Sequence, residues 1–117
     1  MTSNIHLHML GTAYIANPPT DILTGRLWLR ELVSILGMKI LIHPEVVYCK
    51  DDGNEGLTGI VGLTTSHASF HIWSEVEKPF INFDVYSCKT FNPDDVINHL
   101  KQFGLLEYNF KMIDRNP

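Results

Sequence analysis

The sequence lacks the features that place a protein in or across a membrane. It has no apolar run approaching the roughly 20 residues that a membrane-spanning helix needs. Residues 1–11 lack the basic start and the long apolar core of a secretion signal. We therefore expect a cytoplasmic protein without a membrane partner.

Positive charge is also scarce. Lys and Arg together number 9 and Asp and Glu number 13, which gives a formal net charge of -4 at pH 7. Such a chain has no basic field with which to hold a phosphate backbone. We therefore expect no nucleic-acid partner.

Cysteine is nearly absent, since the chain carries only Cys49 and Cys88. In a reducing cytosol both are expected to be free thiols. Two cysteines this far apart do not suggest a Cys-type zinc site.

The histidines do not suggest a zinc site either. The pairs His6 with His8 and His67 with His71 each have a spacing that lets both side chains share one face of a strand. Neither pair brings the third and fourth ligands that a zinc site requires. The sequence therefore predicts no metal site.

What is present is an ordinary globular composition. The 117 residues are 44% hydrophobic and 19% charged, and they show no repeats or low-complexity tracts. A chain of this length can bury a real core but is short for two domains. We expect one domain spanning residues 1–117.

Two helices are predicted from their caps and periodicity. The first begins after Asp21 and ends at Gly37, and its apolar positions recur at helical spacing: Leu29, Leu32, Val33 and Leu36. The second has Asn92 as N-cap, Pro93 at its first position and Gly104 as its stop. Its expected buried stripe is Val96, Ile97, Leu100 and Phe103.

Short runs rich in β-branched and aromatic residues predict the strands. They cover residues 6–14, 39–43, 46–48, 57–63, 68–73, 80–86 and a half-buried final strand at 106–112. This order predicts an α+β fold, a two-layer sandwich of an antiparallel or mixed sheet with both helices packed on one face. Because the other face would stay uncovered, we also expect a homodimer.

Chemistry-bearing side chains are dense between residues 57 and 88, on three adjacent predicted strands and their connections. They are Thr58, Ser66, His67, His71, Glu75 and Cys88. Residue types alone leave several reactions open.

The spacing of these residues is more specific than their types. Ser66-His67 is followed by His71, Trp73 and Glu75, and then by a strand that begins Asp84-Val85 and ends in Cys88. This order resembles the bacterial and archaeal S-adenosylmethionine decarboxylases, in which the segment reads roughly E-S-H-x-x-x-H-x-W-P-E, followed by D-[VL]-[FY]-[ST]-C. The similarity extends over most of the chain, but its central part is the most specific.

The resemblance implies a self-processing proenzyme. The Ser66 hydroxyl attacks the carbonyl of Thr65, β-elimination cuts the chain between Thr65 and Ser66, and Ser66 becomes a pyruvoyl group. The family assigns His71 to the elimination as base and Thr58 to the early intermediate. An imidazole suits proton abstraction and a hydroxyl can donate to an oxyanion.

For the mature enzyme, the resemblance implies decarboxylation of S-adenosylmethionine on the pyruvoyl group, in support of spermidine and hence polyamine biosynthesis. It assigns reprotonation of the product carbon to Cys88 and the ribose hydroxyls to Glu75. We assign His67 to substrate binding as well. Tyr48 is a candidate for contact with the sulfonium or the adenine.

Two positions depart from the family pattern: Thr65 replaces the glutamate before the serine, and Ser74 replaces a proline. Every residue supplies the carbonyl that is attacked, so we still expect cleavage, although a β-branched residue can slow it.

Three alternatives stay open. In the first, the chain is a cleavage-deficient, non-catalytic homologue that binds a nucleoside-like ligand or regulates a partner. In the second, it matures but decarboxylates another amino acid, such as ornithine or arginine. The third is a hydrolase built on Ser66, His71 and Asp84, although the chain lacks the G-x-S-x-G elbow.

Overall fold

The computed structural model describes residues 5–117, so residues 1–4 of the expected domain lie outside the described part. Within residues 5–117 the chain forms six strands, two α-helices and a short 3₁₀ turn at 101–103. The elements follow one another as β1 (Leu7–Ile15), α1 (Ile22–Ile35), β2 (Ile40–Cys49), β3 (Gly56–Leu63), β4 (Ser66–Trp73), β5 (Phe80–Ser87), α2 (Pro93–Leu100) and β6 (Leu105–Asp114).

The strands form one sheet in the order β2-β3-β4-β5-β1-β6, and every neighbouring pair is antiparallel. Both helices share one core with one face of this sheet, since Trp28 of α1 contacts Phe70 of β4 and stacks on His99 of α2. The α+β prediction is confirmed, and the sheet is antiparallel rather than mixed. Among the described residues, no helix has the length and apolar character to cross a membrane.

The helix ends follow the predicted capping chemistry. The Asp21 carboxylate accepts a hydrogen bond from the Thr24 backbone N–H at 3.0 Å, and Asn92 does the same for Asp94 at 2.9 Å. Gly37 and Gly104 both have a left-handed backbone, with φ of 67° and 71°. Every residue of the two predicted apolar stripes is buried.

Alternate residues of each strand separate onto two faces. On β4, Ala68, Phe70 and Ile72 are buried beneath the helices. His67 and His71, like every second residue of β4, point to the opposite side, which we call the open face because no helix covers it. The face that the helices cover is called the helix face.

The prediction of two short strands around Pro44 was wrong. Residues 40–49 form one strand, with register shifts between Ile40 and Ile42 and between Ile42 and Glu45. Because β2 is an edge strand, a proline can stay inside it without costing the sheet a ladder hydrogen bond.

The final strand is more exposed than its alternating pattern predicted. Leu106 and Tyr108 are 66% and 52% exposed, and of the predicted half-buried set Phe110 alone packs against the core. The reason is position, because β6 is the other edge of the sheet, beyond the strands that the helices cover.

Candidate active site

The connection between β3 and β4 is a hairpin with a two-residue turn. Leu63 pairs with Ser66, and Thr64 and Thr65 form the turn between them. Thr65 has a φ of 57°, which a β-branched residue rarely adopts. Backbone strain of this kind is concentrated at the residue whose carbonyl precedes Ser66.

The end of β5 brings Cys88 against this hairpin. The Cys88 backbone N–H donates to Ser66 Oγ at 3.1 Å, and the Thr65 hydroxyl lies 2.7 Å from Cys88 Sγ. The same hydroxyl is 2.7 Å from the Thr64 carbonyl oxygen, so its one proton is shared between two acceptors. Thr65, Ser66 and Cys88 are called the turn group below.

Hydrogen bonding lowers the pKa of the Cys88 thiol below its ordinary value. The Thr65 hydroxyl makes the largest contribution and the Ser66 side chain the next, while the ammonium of Lys89 adds a smaller one. Lys89 is itself held in place, since its Nζ donates to the Gly37 carbonyl at 2.5 Å, just past the end of α1. The thiol is exposed and can reach a ligand.

Ser66 borders two clefts. One, of 250 Å³, lies at the end of the sheet beside Thr64, Cys88 and Lys89. The other, of 390 Å³, lies on the open face and includes His67. A ligand in either cleft can therefore reach the Ser66 side chain.

A second group of predicted residues lies farther along the open face. Thr58 and His71 face each other on β3 and β4, and a hydrogen bond joins Thr58 Oγ1 to His71 Nδ1 at 3.1 Å. When Nδ1–H is the donor, Nε2 keeps its lone pair and can accept a proton. Glu75 is exposed in the bend that follows β4. Thr58 and His71 are called the strand group.

The turn group and the strand group do not meet within one chain. Ser66 and His71 are five residues apart on the same extended strand, a separation of about 16 Å. A hydrolase triad of Ser66, His71 and Asp84 does not form within one chain either, and Asp84 bonds His8 and His67 rather than His71.

Asp84 is the centre of a cluster that the sequence analysis missed. Its Oδ2 lies 2.7 Å from His8 Nε2 and 3.0 Å from His67 Nε2, and the Ser69 hydroxyl donates to its Oδ1. Burial opposes ionisation of this carboxyl, but the bonds from Ser69, His8 and His67 outweigh it, so the pKa of Asp84 is lowered. Because side chains alternate along a strand, the sequence could place these residues on one face of the sheet. It did not reveal that β1 pairs with β5.

Comparison with known proteins adds an independent observation to this geometry. Residues 20–116 match the family model described as S-adenosylmethionine decarboxylase. The chain belongs to the S-adenosylmethionine decarboxylase family. The resemblance found in the central segment of the sequence is thus confirmed over most of the chain.

Individual relatives agree with this family. A curated S-adenosylmethionine decarboxylase proenzyme from Methanococcus aeolicus is 34% identical over 61 residues, which are 51% of this chain and 50% of that one. The match therefore spans about half the length of the curated relative. The crystal structure of the adenosylmethionine decarboxylase from Aquifex aeolicus superposes with a TM-score of 0.77 at 20% identity, covering 99% of this chain and 94% of that one. This second likeness shows the fold.

Three further residues named in the sequence analysis lie in different environments. His67 borders the open-face cleft beside Ser66, in agreement with a ligand-binding position. Tyr48 lies on the helix face, half-buried against the core. Its contact with a substrate stays a prediction. Trp73 stacks on Phe80 with ring centroids 4.7 Å apart and donates its indole N–H to Asn54 Oδ1, so it has a packing role.

Proposed function

We propose that this chain is a proenzyme that cleaves itself between Thr65 and Ser66 and then decarboxylates S-adenosylmethionine. The observation that carries the proposal is the turn group: a strained Thr65 directly before a serine whose hydroxyl touches the Cys88 segment, in a chain of this family. Strain in a sparsely populated backbone region costs about 1–3 kcal/mol and concentrates at functional positions.

Cleavage needs a nucleophile and a base. Ser66 Oγ adds to the Thr65 carbonyl carbon, and the Thr65–Ser66 peptide bond is exchanged for an ester. A base then removes the Ser66 α-proton, and the ester oxygen leaves as the carboxylate of Thr65. The dehydroalanine that remains at position 66 takes up water and releases ammonia, which leaves a pyruvoyl group.

The turn group fits a pyruvoyl group at position 66. Ser66 lies at the start of a strand, at the border of two clefts, and an exposed thiol of lowered pKa is beside it. When formed, the group supplies an electron sink for loss of carbon dioxide from the substrate. Cys88 Sγ then delivers a proton to the product carbon. Glu75 accepts hydrogen bonds from the ribose hydroxyls, and His67 lines the cleft that holds the substrate.

The base for cleavage comes from a second copy of the chain. A base must come within about 3 Å of the proton that it abstracts, and His71 lies about 16 Å along β4 from Ser66 of its own chain. The open face also exposes large apolar side chains, among them Leu10, Val47 and Ile60. A homodimer that packs two open faces together covers these side chains and can bring His71 of the partner subunit to Ser66.

The product of such an enzyme carries a decarboxylated aminopropyl chain. We place it in the synthesis of spermidine and other polyamines, in the cytoplasm. S-adenosylmethionine is the substrate to assay first, with ornithine and arginine as the competing amino acids.

An intact mass spectrum of the purified, denatured protein tests self-processing. We expect two fragments that divide at Ser66, the second blocked at its N-terminus by the pyruvoyl group, and a single uncut chain for Ser66→Ala. A wild-type chain that stays whole after long incubation contradicts the proposal and favours the non-catalytic homologue.

Complementation between two inactive variants tests the shared site. Ser66→Ala and His71→Ala are each expected to stay uncut alone. In a mixed dimer, Ser66 of the His71→Ala chain lies beside His71 of the Ser66→Ala chain. The His71→Ala chain is therefore cut. The fragment that carries the alanine at 71 has a distinct mass. No cleavage in the mixture would place the base within the same chain.

Cleavage and turnover can be separated at Cys88. Cys88→Ala is expected to cleave normally but to lose turnover of S-adenosylmethionine, because reprotonation lacks its donor. Carbon dioxide release and product formation measure this step, and normal turnover would remove Cys88 from the mechanism.

A further inference from the structure

Three side chains from three different strands converge on the open face. They are His8 of β1, His67 of β4 and Asp84 of β5. Each offers one ligand atom, and the three atoms lie within 4.8 Å of one another. The proposed cleavage and decarboxylation assign no role to His8 or Asp84.

The distances fit a small cation. A tetrahedral zinc ion with bonds of about 2.0–2.1 Å separates its ligand atoms by about 3.3 Å. His8 Nε2 and His67 Nε2 lie 2.7 Å and 3.0 Å from Asp84 Oδ2. An ion between them needs each imidazole nitrogen to move about 0.3–0.6 Å away from Asp84 Oδ2. The two nitrogens, which are no more than 4.8 Å apart, must come to about 3.3 Å from each other.

The surroundings hold the ligands in place. The Ser69 hydroxyl donates to Asp84 Oδ1, the oxygen that faces away from the two imidazoles. A hydrogen bond to the outer atom of a ligand fixes its orientation in metal sites. His8 and Asp84 are also partly buried, with side chains 15% and 22% exposed, while His67 is 37% exposed in the single chain.

We propose that His8, His67 and Asp84 together bind one divalent first-row transition-metal ion, with Zn²⁺ as the probe. Two imidazoles and one carboxylate suit zinc and its neighbours rather than Mg²⁺ or Ca²⁺, which prefer oxygen ligands. The ion ties β1, β4 and β5 together on the open face and leaves a coordination position for water or a further ligand. This proposal differs from the expectation, drawn from the sequence, that the chain has no metal site. It also goes beyond the proposed decarboxylase function.

One neighbouring charge opposes the ion. Arg115 Nη1 lies 3.3 Å from His8 Nδ1, and the guanidinium sits over the Tyr86 ring at 4.9 Å. When His8 Nε2 binds a metal, Nδ1 carries the proton and cannot accept from Arg115. The Arg115 side chain is exposed and can swing away. Removing its charge should therefore tighten binding.

Zinc titration by calorimetry, after treatment with a chelator, tests the proposal. The wild-type chain is expected to bind one zinc ion per chain. His8→Gln and His67→Gln each weaken binding about tenfold or more, and Ser69→Ala weakens it about tenfold through the lost orientation of Asp84. His43→Gln serves as the matched control: His43 lines the same cleft as His67 but is not one of the three clustered ligands, so the affinity stays unchanged.

Two outcomes overturn the site: no saturable binding to the wild type, or equal losses in the His43 and His67 variants, which would indicate scattered surface histidines. Arg115→Gln is expected to bind zinc several-fold more tightly, and a weaker Arg115→Gln would contradict the assigned geometry. Repeating the titration on Ser66→Ala separates this test from self-cleavage, since binding to an uncut chain does not need the proposed function.

A substitution in the middle of the sheet can unfold the protein, so the metal ligands are also identified directly in the wild type. X-ray absorption of the zinc-loaded protein is expected to show a shell of nitrogen and oxygen with two imidazoles. A sulfur ligand would place the ion at Cys49 or Cys88 and would overturn the proposal. Far-UV circular dichroism of each variant confirms that it is folded before its affinity is compared.

Discussion

The two faces of the sheet are formed by alternate residues of the same strands, yet they differ in what holds them together. On the helix face, apolar side chains such as Phe70 and Val85 are almost fully buried, and Phe70 packs against Trp28. On the open face, polar side chains hydrogen-bond one another, as Thr58 does with His71, and lie beside exposed apolar side chains such as Ile60.

This difference indicates that one face stabilises the fold and the other carries the chemistry. Burial of apolar surface is the main favourable term in folding, so the helix face determines stability. The open face, with the hairpin at its end, carries the groups that can move protons and hold a ligand. Substitutions on the two faces should therefore be separable. Those on the helix face lower the stability of each chain, and those on the open face act on the site and on the proposed dimer contact.

The largest effect is expected on the helix face. Phe70→Ala removes a ring that is 1% exposed and packs edge-on against Trp28, and it should lower the free energy of unfolding by about 3–5 kcal/mol. Leu23→Ala is the control for loss of an exposed aliphatic side chain, because Leu23 is 60% exposed on α1 and lies outside the proposed dimer contact. Urea denaturation measures both, and similar losses would show that burial on the helix face does not determine stability.

A smaller effect, of opposite sign, is expected at the hairpin. Thr65→Gly relieves a left-handed conformation that costs a residue with a Cβ about 1–2 kcal/mol, against an entropic cost of about 0.5–1 kcal/mol for glycine. Because glycine also loses the hydrogen bonds of the Thr65 hydroxyl, the reference is Thr65→Ala, which loses them too. Thr65→Gly should be more stable than Thr65→Ala by up to about 1.5 kcal/mol. Thr64→Gly and Thr64→Ala are the control pair and should not show this gain, because the φ of Thr64 is not positive. All are measured in the Ser66→Ala background, so that the chain stays whole; a Thr65→Gly chain less stable than Thr65→Ala would mean that the turn is not strained.

Helix capping provides a pH-dependent test on the helix layer. Hydrogen bonds from the Thr24 side chain and backbone N–H lower the pKa of Asp21. A carboxyl whose pKa is lowered by folding stabilises the native state above its unfolded pKa, near 3.9, and this contribution is lost as the pH falls through the folded pKa.

Asp21→Asn keeps the capping oxygen but cannot titrate. Its melting temperature should therefore fall less steeply than that of the wild type as the pH is lowered below about 4. Asp52→Asn, in the exposed turn after β2, is the control. An unchanged slope for Asp21→Asn would show that its carboxylate adds nothing to stability.

These contrasts also explain how much the sequence could reveal. The helices were predictable because their signals are local: Asp21 and Asn92 cap their own first turns, and Gly37 and Gly104 end the helices by their backbone conformation. Pro44 misled the prediction because its effect depends on whether a strand lies at the edge of a sheet, which local sequence does not encode.

The candidate site was predictable in its residue types but not in its geometry. Family spacing named Ser66, His71 and Cys88, and the structure brings Cys88 to Ser66 through a contact across 22 residues. That His71 stays apart follows from its place on the same extended strand. The cluster around Asp84 depended on β1 lying beside β5, a long-range pairing without a local signal.

The smallest expected effect concerns the Cys88 thiol, which tests the turn group without changing the fold. The Thr65 hydroxyl makes the largest contribution to its lowered pKa, so Thr65→Val, which keeps the β-branch, should raise the pKa of Cys88. The pH profile of iodoacetamide alkylation measures this shift, in a Ser66→Ala, Cys49→Ser background that leaves one thiol in an uncut chain. Thr64→Val is the matched control and should leave the profile in place. A profile that does not move to higher pH in Thr65→Val would mean that the hydroxyl serves the Thr64 carbonyl, 2.7 Å away, and that the lowered pKa of Cys88 has another source.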